Sequence, residues 1–204
     1  MYVIGHEMFN KSLTLDIENR LMQYLLSVDN ISRVHNSRTN QQNEYYTSEK
    51  LDEIFSDIWG TLNKKNKVLF PIESIIKDSA IFKASPFHKL TQEQINAKEE
   101  ILNKIKESII LDEEGQLLIV EGEAGSGKTV LMSTLLYELK KYNLNLDKDL
   151  DIHLLVNHNE HVTIYNQIAT KLGITNKKKN IINKPTSFIN SHSPDEKVDV
   201  VIVD

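Results

Sequence analysis

Apolar positions recur along the 204-residue chain at two different spacings, and the change of spacing divides it. Residues 13–26 carry Leu13, Ile17, Leu21 and Leu25 four apart, which predicts a helix. In residues 48–62, Ser48 stands as an N-cap before Leu51, Ile54, Phe55, Ile58, Trp59 and Leu62. That pattern is one apolar stripe of an amphipathic helix, and its aromatic members read as a core face. Tyr2-Val3-Ile4 reads as a short strand and residues 30–42 as a polar loop. Residues 63–89 lose the period. Pro71 and Pro86 punctuate them, and only residues 72–76 suggest a short helix, so this stretch reads as a connector. A helix over 90–110 follows, its start marked by a capping box of Thr91 with Gln94 and a staple of Leu90 with Ile95.

Beyond Glu113-Glu114-Gly115 the elements alternate. Leu117-Leu118-Ile119-Val120 is a continuous apolar run, the pattern of a parallel strand buried on both faces. Helices are expected over 128–142, with Leu131, Leu135 and Leu139 on one side, and over 161–172, closed by Gly173. Strands are expected over 152–156 and 198–203. Alternating strands and helices predict an α/β unit with a parallel sheet and flanking helices, preceded by a mostly helical part. The expected divisions are 1–66, 67–89 and 90–204.

Composition narrows the classes. The net charge is −5, so the chain has no bulk electrostatic grip on nucleic acid, although this leaves room for a local basic groove. The chain contains no cysteine, which excludes disulfides, thiolate zinc sites and cysteine nucleophiles and agrees with a reducing cytoplasm. No apolar run reaches the roughly eighteen residues of a membrane span, and the N-terminus lacks the regions of a signal peptide. Lys177-Lys178-Lys179 reads as a solvated run. His158 and His161 lack further ligands at metal-binding spacing.

The strongest chemical signal is Gly122-Glu123-Ala124-Gly125-Ser126-Gly127-Lys128-Thr129, a full G-x-x-x-x-G-K-[ST] match between an expected strand and an expected helix. Backbone N–H groups must wrap phosphates closely, so glycines take the tight positions. The following helix turns its positive end to the anion. Lys128 is placed to reach the β- and γ-phosphates, and the Thr129 hydroxyl to ligate Mg²⁺. Val200-Val201-Ile202-Val203-Asp204 then offers a carboxylate for the metal at the end of a strand, the Walker B pattern. Asp199 competes for that role, but it lies at the strand's start, away from the edge where ligands bind.

The nucleotide is expected to be ATP, because no guanine-reading Asn/Thr-Lys-x-Asp occurs. Gln94 has two readings of equal standing. A glutamine amide can bond adenine N6 and N7 together, and Gln94 is also the N3 residue of the capping box.

Together, Leu90-Thr91-Gln92-Glu93-Gln94-Ile95-Asn96-Ala97, the phosphate loop, Leu154-Leu155-Val156-Asn157-His158-Asn159 and the strand ending in Asp204 resemble the opening half of a superfamily 1-like helicase motor. More narrowly they resemble the Schlafen group 3-like DNA/RNA helicase domain family of bacterial proteins, which Ser85-Pro86-Phe87 also fits. The resemblance implies a partial P-loop NTPase of RecA-like fold, with Gln94 as adenine reader. It also implies that Asn157, His158, Thr186 and Ser187 lie near a nucleic-acid path; capping of helices by loop residues is the other reading of these four. Nucleic acid, DNA or RNA, is then the expected partner of the longer protein.

Phe9-Asn10-Lys11-Ser12 and Leu15-Asp16-Ile17-Glu18-Asn19-Arg20-Leu21 resemble the back half of a GIY-YIG nuclease domain. That resemblance implies a metal-binding role for Glu18 and a nearby polar role for Asn36. The GIY and YIG strands are missing from the sequence, so no nuclease activity is expected of this chain. The helicase pattern continues past its Walker B aspartate with a water-polarising glutamate, whereas the sequence stops at Asp204. The expectation is therefore an internal fragment that binds Mg-ATP weakly and hydrolyses it poorly. In related motors a later strand lies between the two that carry Walker A and Walker B, so a gap in the sheet is expected. A regulatory ATP switch and a small-molecule kinase are the alternatives to a nucleic-acid motor.

Overall fold

The computed structural model describes residues 1–35, 45–144, 146, 149–175, 180–193 and 195–204. The described chain divides into two units, Met1–Lys83 and Ala84–Asp204.

The first unit is helical. Helix α1, Lys11–Leu26, starts where the Asn10 side chain accepts the Leu13 N–H at 2.9 Å. The Asn10 amide also donates to Thr47 Oγ1 at 2.9 Å, so this residue ties the helix start to the chain before the next helix. A 3-10 turn, Ser48–Lys50, leads into α2, Leu51–Lys65. Ser48 thus opens the turn rather than capping α2, whose first turn begins at Lys50 without a side-chain cap. Two short helices complete the unit, α3 (Glu73–Asp78) and α4 (Ala80–Lys83).

Its core is aromatic. The Tyr24 ring meets Phe55, Trp59 and Phe82 edge-on at 4.6, 4.8 and 5.3 Å, and Phe70 closes on Trp59 at 5.3 Å. The buried polar ends are bonded: Trp59 Nε1 donates to the Pro71 carbonyl at 2.7 Å, and the Tyr24 hydroxyl to Glu73 Oε2 at 2.9 Å. Phe70 and Ile76 lie in this core, so much of the proline-punctuated stretch packs with the first unit. Tyr2-Val3-Ile4 forms no strand. Val3 is exposed, and a three-residue apolar run without a pairing edge has nothing to hold it extended.

The second unit is mixed α/β. Its helices are α5 (Gln92–Leu111), α6 (Lys128–Asn143), α7 (Asn159–Leu172) and α8 (Pro185–Ser191). Its strands are β1 (Ile152–Leu155), β2 (Ile182–Asn183) and β3 (Val200–Val203). The sheet is parallel in the order β2-β1-β3, with Leu154 opposite both Ile182 and Ile202. β1 is buried along its whole length, as the central strand of a parallel sheet must be. Leu131, Leu135 and Leu139 of α6 and Tyr165 and Ala169 of α7 pack with Ile152 and Leu154, and Leu102 of α5 joins them. α7 ends at Gly173, whose left-handed backbone, φ 67°, is the conformation that glycine adopts without strain.

The principal departure from the sequence pattern is at residues 117–120. They form no strand. Leu117 and Ile119 are 81% and 76% exposed. They pair with no strand of the described sheet, in which β3 is an edge strand bonded to β1 alone. On β3 itself Val201 and Val203 are exposed while Val200 is buried. Apolar character alone does not bury a run; it needs a neighbour along the hydrogen-bonding edge, and residues 117–120 have none in the described sheet.

Candidate phosphate-binding site

Residues 122–127 form the turn that leads into α6, whose first two residues are Lys128 and Thr129. Gly125 and Gly127 have φ of 82° and 85°, a left-handed backbone that favours glycine. A Cβ on Gly122 would stand 2.7 Å from Ser126 Oγ and would turn that hydroxyl aside. Gly127 is the N-cap of α6, and no side chain caps the helix start. Such a start keeps first-turn N–H groups available to an anion. Lys128 bends back over the loop, donating to the Gly122 and Glu123 carbonyls at 2.7 and 2.8 Å. Its ammonium thus lies on the loop's own backbone, and residues 122–126, including Ala124, are exposed. Glycines that let the backbone curl, a free helix start and a lysine folded into the turn fit a triphosphate cradle.

Parallel topology brings several of the other singled-out residues to one edge of the sheet. Asn157 and His158 follow the C-terminal end of β1, Thr186 and Ser187 lie in the first turn of α8 just past β2, and Asp204 follows β3. All five are exposed. His158 occupies the N-cap position of α7 but makes no side-chain cap, and its ring lies 5.8 Å from that of His161. The Asp204 backbone N–H donates to the Leu155 carbonyl at 2.9 Å, which fixes where its carboxylate emerges. Asp199 sits at the opposite edge, its carboxylate accepting the Asp151 N–H at 2.7 Å.

One residue that the sequence reading passed over reaches Thr129 from α7. Tyr165 of α7 is buried, and its hydroxyl donates to the Thr129 carbonyl at 3.1 Å. Burial first, and then the nearby Asp204 charge, push its hydroxyl far above the ordinary tyrosine value, so it stays protonated and donating. The apolar period marks Tyr165 as a core position of α7, but what its hydroxyl meets is set by tertiary packing.

Gln94 lies beside the loop. Its Nε2 donates to the Ser126 carbonyl at 2.7 Å, and its Oε1 accepts the Thr91 N–H at 2.9 Å. The capping box is therefore formed in full. Ser85-Pro86-Phe87 packs against α6, with Ser85 buried, the Phe87 ring 5.5 Å from Tyr137, and the Pro86 carbonyl accepting from Thr134 at 3.5 Å. In the first unit Glu18 is half-buried on α1, while Asn36 falls outside the described residues, as do Lys177, Lys178 and Lys179. Among the described residues no group of three His, Asp or Glu side chains is placed to hold a metal ion. No helix among them is long and apolar enough to cross a membrane.

Comparison with known proteins supports a helicase-like domain in the second unit. Residues 115–204 match the family model described as Schlafen group 3, DNA/RNA helicase domain. The matched stretch begins just before the loop and ends on Asp204. A 95-residue segment is 32% identical to an uncharacterized protein of Saccharomyces cerevisiae, covering 43% of this chain and 20% of the yeast protein. This chain therefore spans only a small part of that relative's length. A yeast relative is at odds with reading such sequences as bacterial alone. No solved structure matches the chain.

Proposed function

We propose that residues 122–129 bind the triphosphate of Mg-ATP, and that the second unit is the nucleotide-binding part of a nucleic-acid motor. The observation that carries this reading is the loop itself: a complete phosphate-loop motif, with two left-handed glycines and an uncapped helix start, inside the segment matched to a DNA/RNA helicase domain. Loop N–H groups and the start of α6 hold the phosphates. Lys128 exchanges the Gly122 and Glu123 carbonyls for phosphate oxygens. Thr129 and Asp204 are the residues that would hold Mg²⁺, which supplies charge neutralisation to the bound phosphates. The exposed residues Asn157, His158, Thr186 and Ser187 share the sheet edge with Asp204, and nucleic acid is proposed to run along that edge. The motor activity and its nucleic-acid partner are proposed for the longer protein. Glu18 is proposed as a metal-binding residue of a nuclease-like part.

Calorimetric titration of the chain with Mg-ATP tests the loop. Lys128→Ala removes the cation and is expected to lower affinity at least a hundredfold, with the fold unchanged by circular dichroism. Unchanged binding by this variant defeats the phosphate-loop assignment.

A further inference from the structure

The sequence offers Gln94 two roles, adenine reader and capping-box residue, and the structure adds a contact with the loop. Its carbonyl end is committed to the first turn of its own helix, through the Thr91 N–H. Its amide end is committed to the loop, through the Ser126 carbonyl. The fit is close. A Cβ on Gly127 would stand 2.4 Å from Gln94 Nε2, so the glycine that caps α6 is also what admits the glutamine. Thr91 closes the arrangement by accepting the Gln94 N–H at 3.3 Å. The start of α5 is thereby fastened to the peptide that carries the Gly127 N–H. A peptide plane turns as a unit. Holding the Ser126 carbonyl toward α5 therefore aims the Gly127 N–H to the opposite side, away from the glutamine.

We propose that Gln94 is a positioning residue for the phosphate loop, and that its contribution to binding acts on the triphosphate whatever base is attached. The proposal rests on the reading of residues 122–129 as a phosphate site. A glutamine that served only to recognise adenine would need its amide edge turned to N6 and N7. Here one hydrogen of the amide and one lone pair of the carbonyl are already used within the protein. The Ser126 bond orders the loop before any ligand arrives, and ordering in advance is what makes binding tighter.

Two variants separate the contacts. Gln94→Ala removes both. Gln94→Glu keeps an oxygen acceptor for the Thr91 N–H, since glutamate serves equally at the third helical position, but has no hydrogen to donate to Ser126. Hydrogen exchange on the ligand-free chain is expected to be about three- to tenfold faster across residues 122–129 in both variants, the effect of one lost hydrogen bond. The Thr91 amide should be faster only in Gln94→Ala. Titrations with Mg-ATP, Mg-GTP and inorganic triphosphate should show Gln94→Ala weakening all three by the same three- to tenfold factor.

Loss of ATP affinity with inorganic triphosphate unchanged would make Gln94 a base reader and overturn the proposal. Loop exchange identical to wild type in both variants would also overturn it, because the latch would then carry no order. If the wild-type chain binds none of the three ligands, the phosphate-site reading fails, and the proposed role in binding falls with it. The exchange experiment needs no ligand, so it still decides whether Gln94 orders the loop.

Discussion

The two units bury their apolar residues to different degrees. In the first, Tyr24, Phe55 and Trp59 are almost wholly enclosed, and each of their polar atoms has a partner within the unit. In the second, β1 is as deeply buried, yet Leu117, Ile119, Val201 and Val203 face solvent a short distance along the chain from the proposed phosphate loop or from Asp204. The first unit gains its stability from an enclosed aromatic cluster. The second concentrates its burial around the central strand β1 and leaves the segments that carry the motifs lightly packed. A phosphate loop has to admit a ligand and rearrange its lysine, and sparse packing around it is compatible with that task.

The largest effect should come from the enclosed cluster. Trp59→Ala removes the ring that meets Tyr24 and Phe70 edge-on and the indole N–H that satisfies the Pro71 carbonyl. A loss of about 3–5 kcal/mol is expected. That is a large fraction of the roughly 5–15 kcal/mol by which whole domains are stable, so the first unit should melt at much lower denaturant. Trp59 is the chain's only tryptophan, so circular dichroism during denaturation is the measurement. The comparison breaks if the variant melts like wild type.

The same contrast decides what the sequence revealed. Features set by neighbours along the chain were legible. The α2 stripe, the Thr91–Gln94 capping box and the left-handed Gly173 all stand where local pattern puts them. Asp204 and Asp199 were told apart by strand direction alone, and the structure sets them at opposite edges of the sheet. Features set by distant neighbours were not legible. Residues 117–120 have the composition of a buried strand, but strand formation depends on an edge that composition does not describe. β2 is two residues long and too short to leave a period. Tyr165 and the Gln94–Ser126 bond depend on how α5, α6 and α7 pack, and no spacing along the chain encodes them.

A smaller effect is expected at the polar border of the aromatic cluster, and it depends on pH. Burial pushes the Glu73 carboxyl up, but hydrogen bonds from Lys77, Tyr24 and Ser56 outweigh it and hold the group below the usual carboxylate range. A depressed folded-state value stabilises the fold above the unfolded value of about 4.3, and that stability is lost as pH falls through the folded value. Tyr24 is shifted upward by burial, by its bond to Glu73 and by the glutamate's charge, so its contribution persists through neutral pH and disappears only in strong alkali. Glu73→Gln should therefore cost about 1 kcal/mol at pH 7, with the difference from wild type shrinking below about pH 4. Paired denaturation curves at pH 7 and pH 3.5 check it. A cost that stays constant between the two would assign the effect to packing.

The smallest expected effect tests the other side of the comparison most directly. Ile119→Lys places a charge in the middle of the most apolar run near the loop. If that run were a strand covered on both faces, the substitution would bury an unpaired ammonium and cost several kcal/mol, as large as the loss of Trp59. Ile119 is instead 76% exposed, and residues 117–120 pair with no strand of the described sheet. The charge then stays in water, and the expected cost is under about 0.5 kcal/mol. Urea denaturation of the variant beside wild type measures the difference. A small value keeps the contrast between an enclosed first unit and an open second one. A large value would mean that the run is covered in solution, so that the second unit's core extends to the strand position its sequence describes.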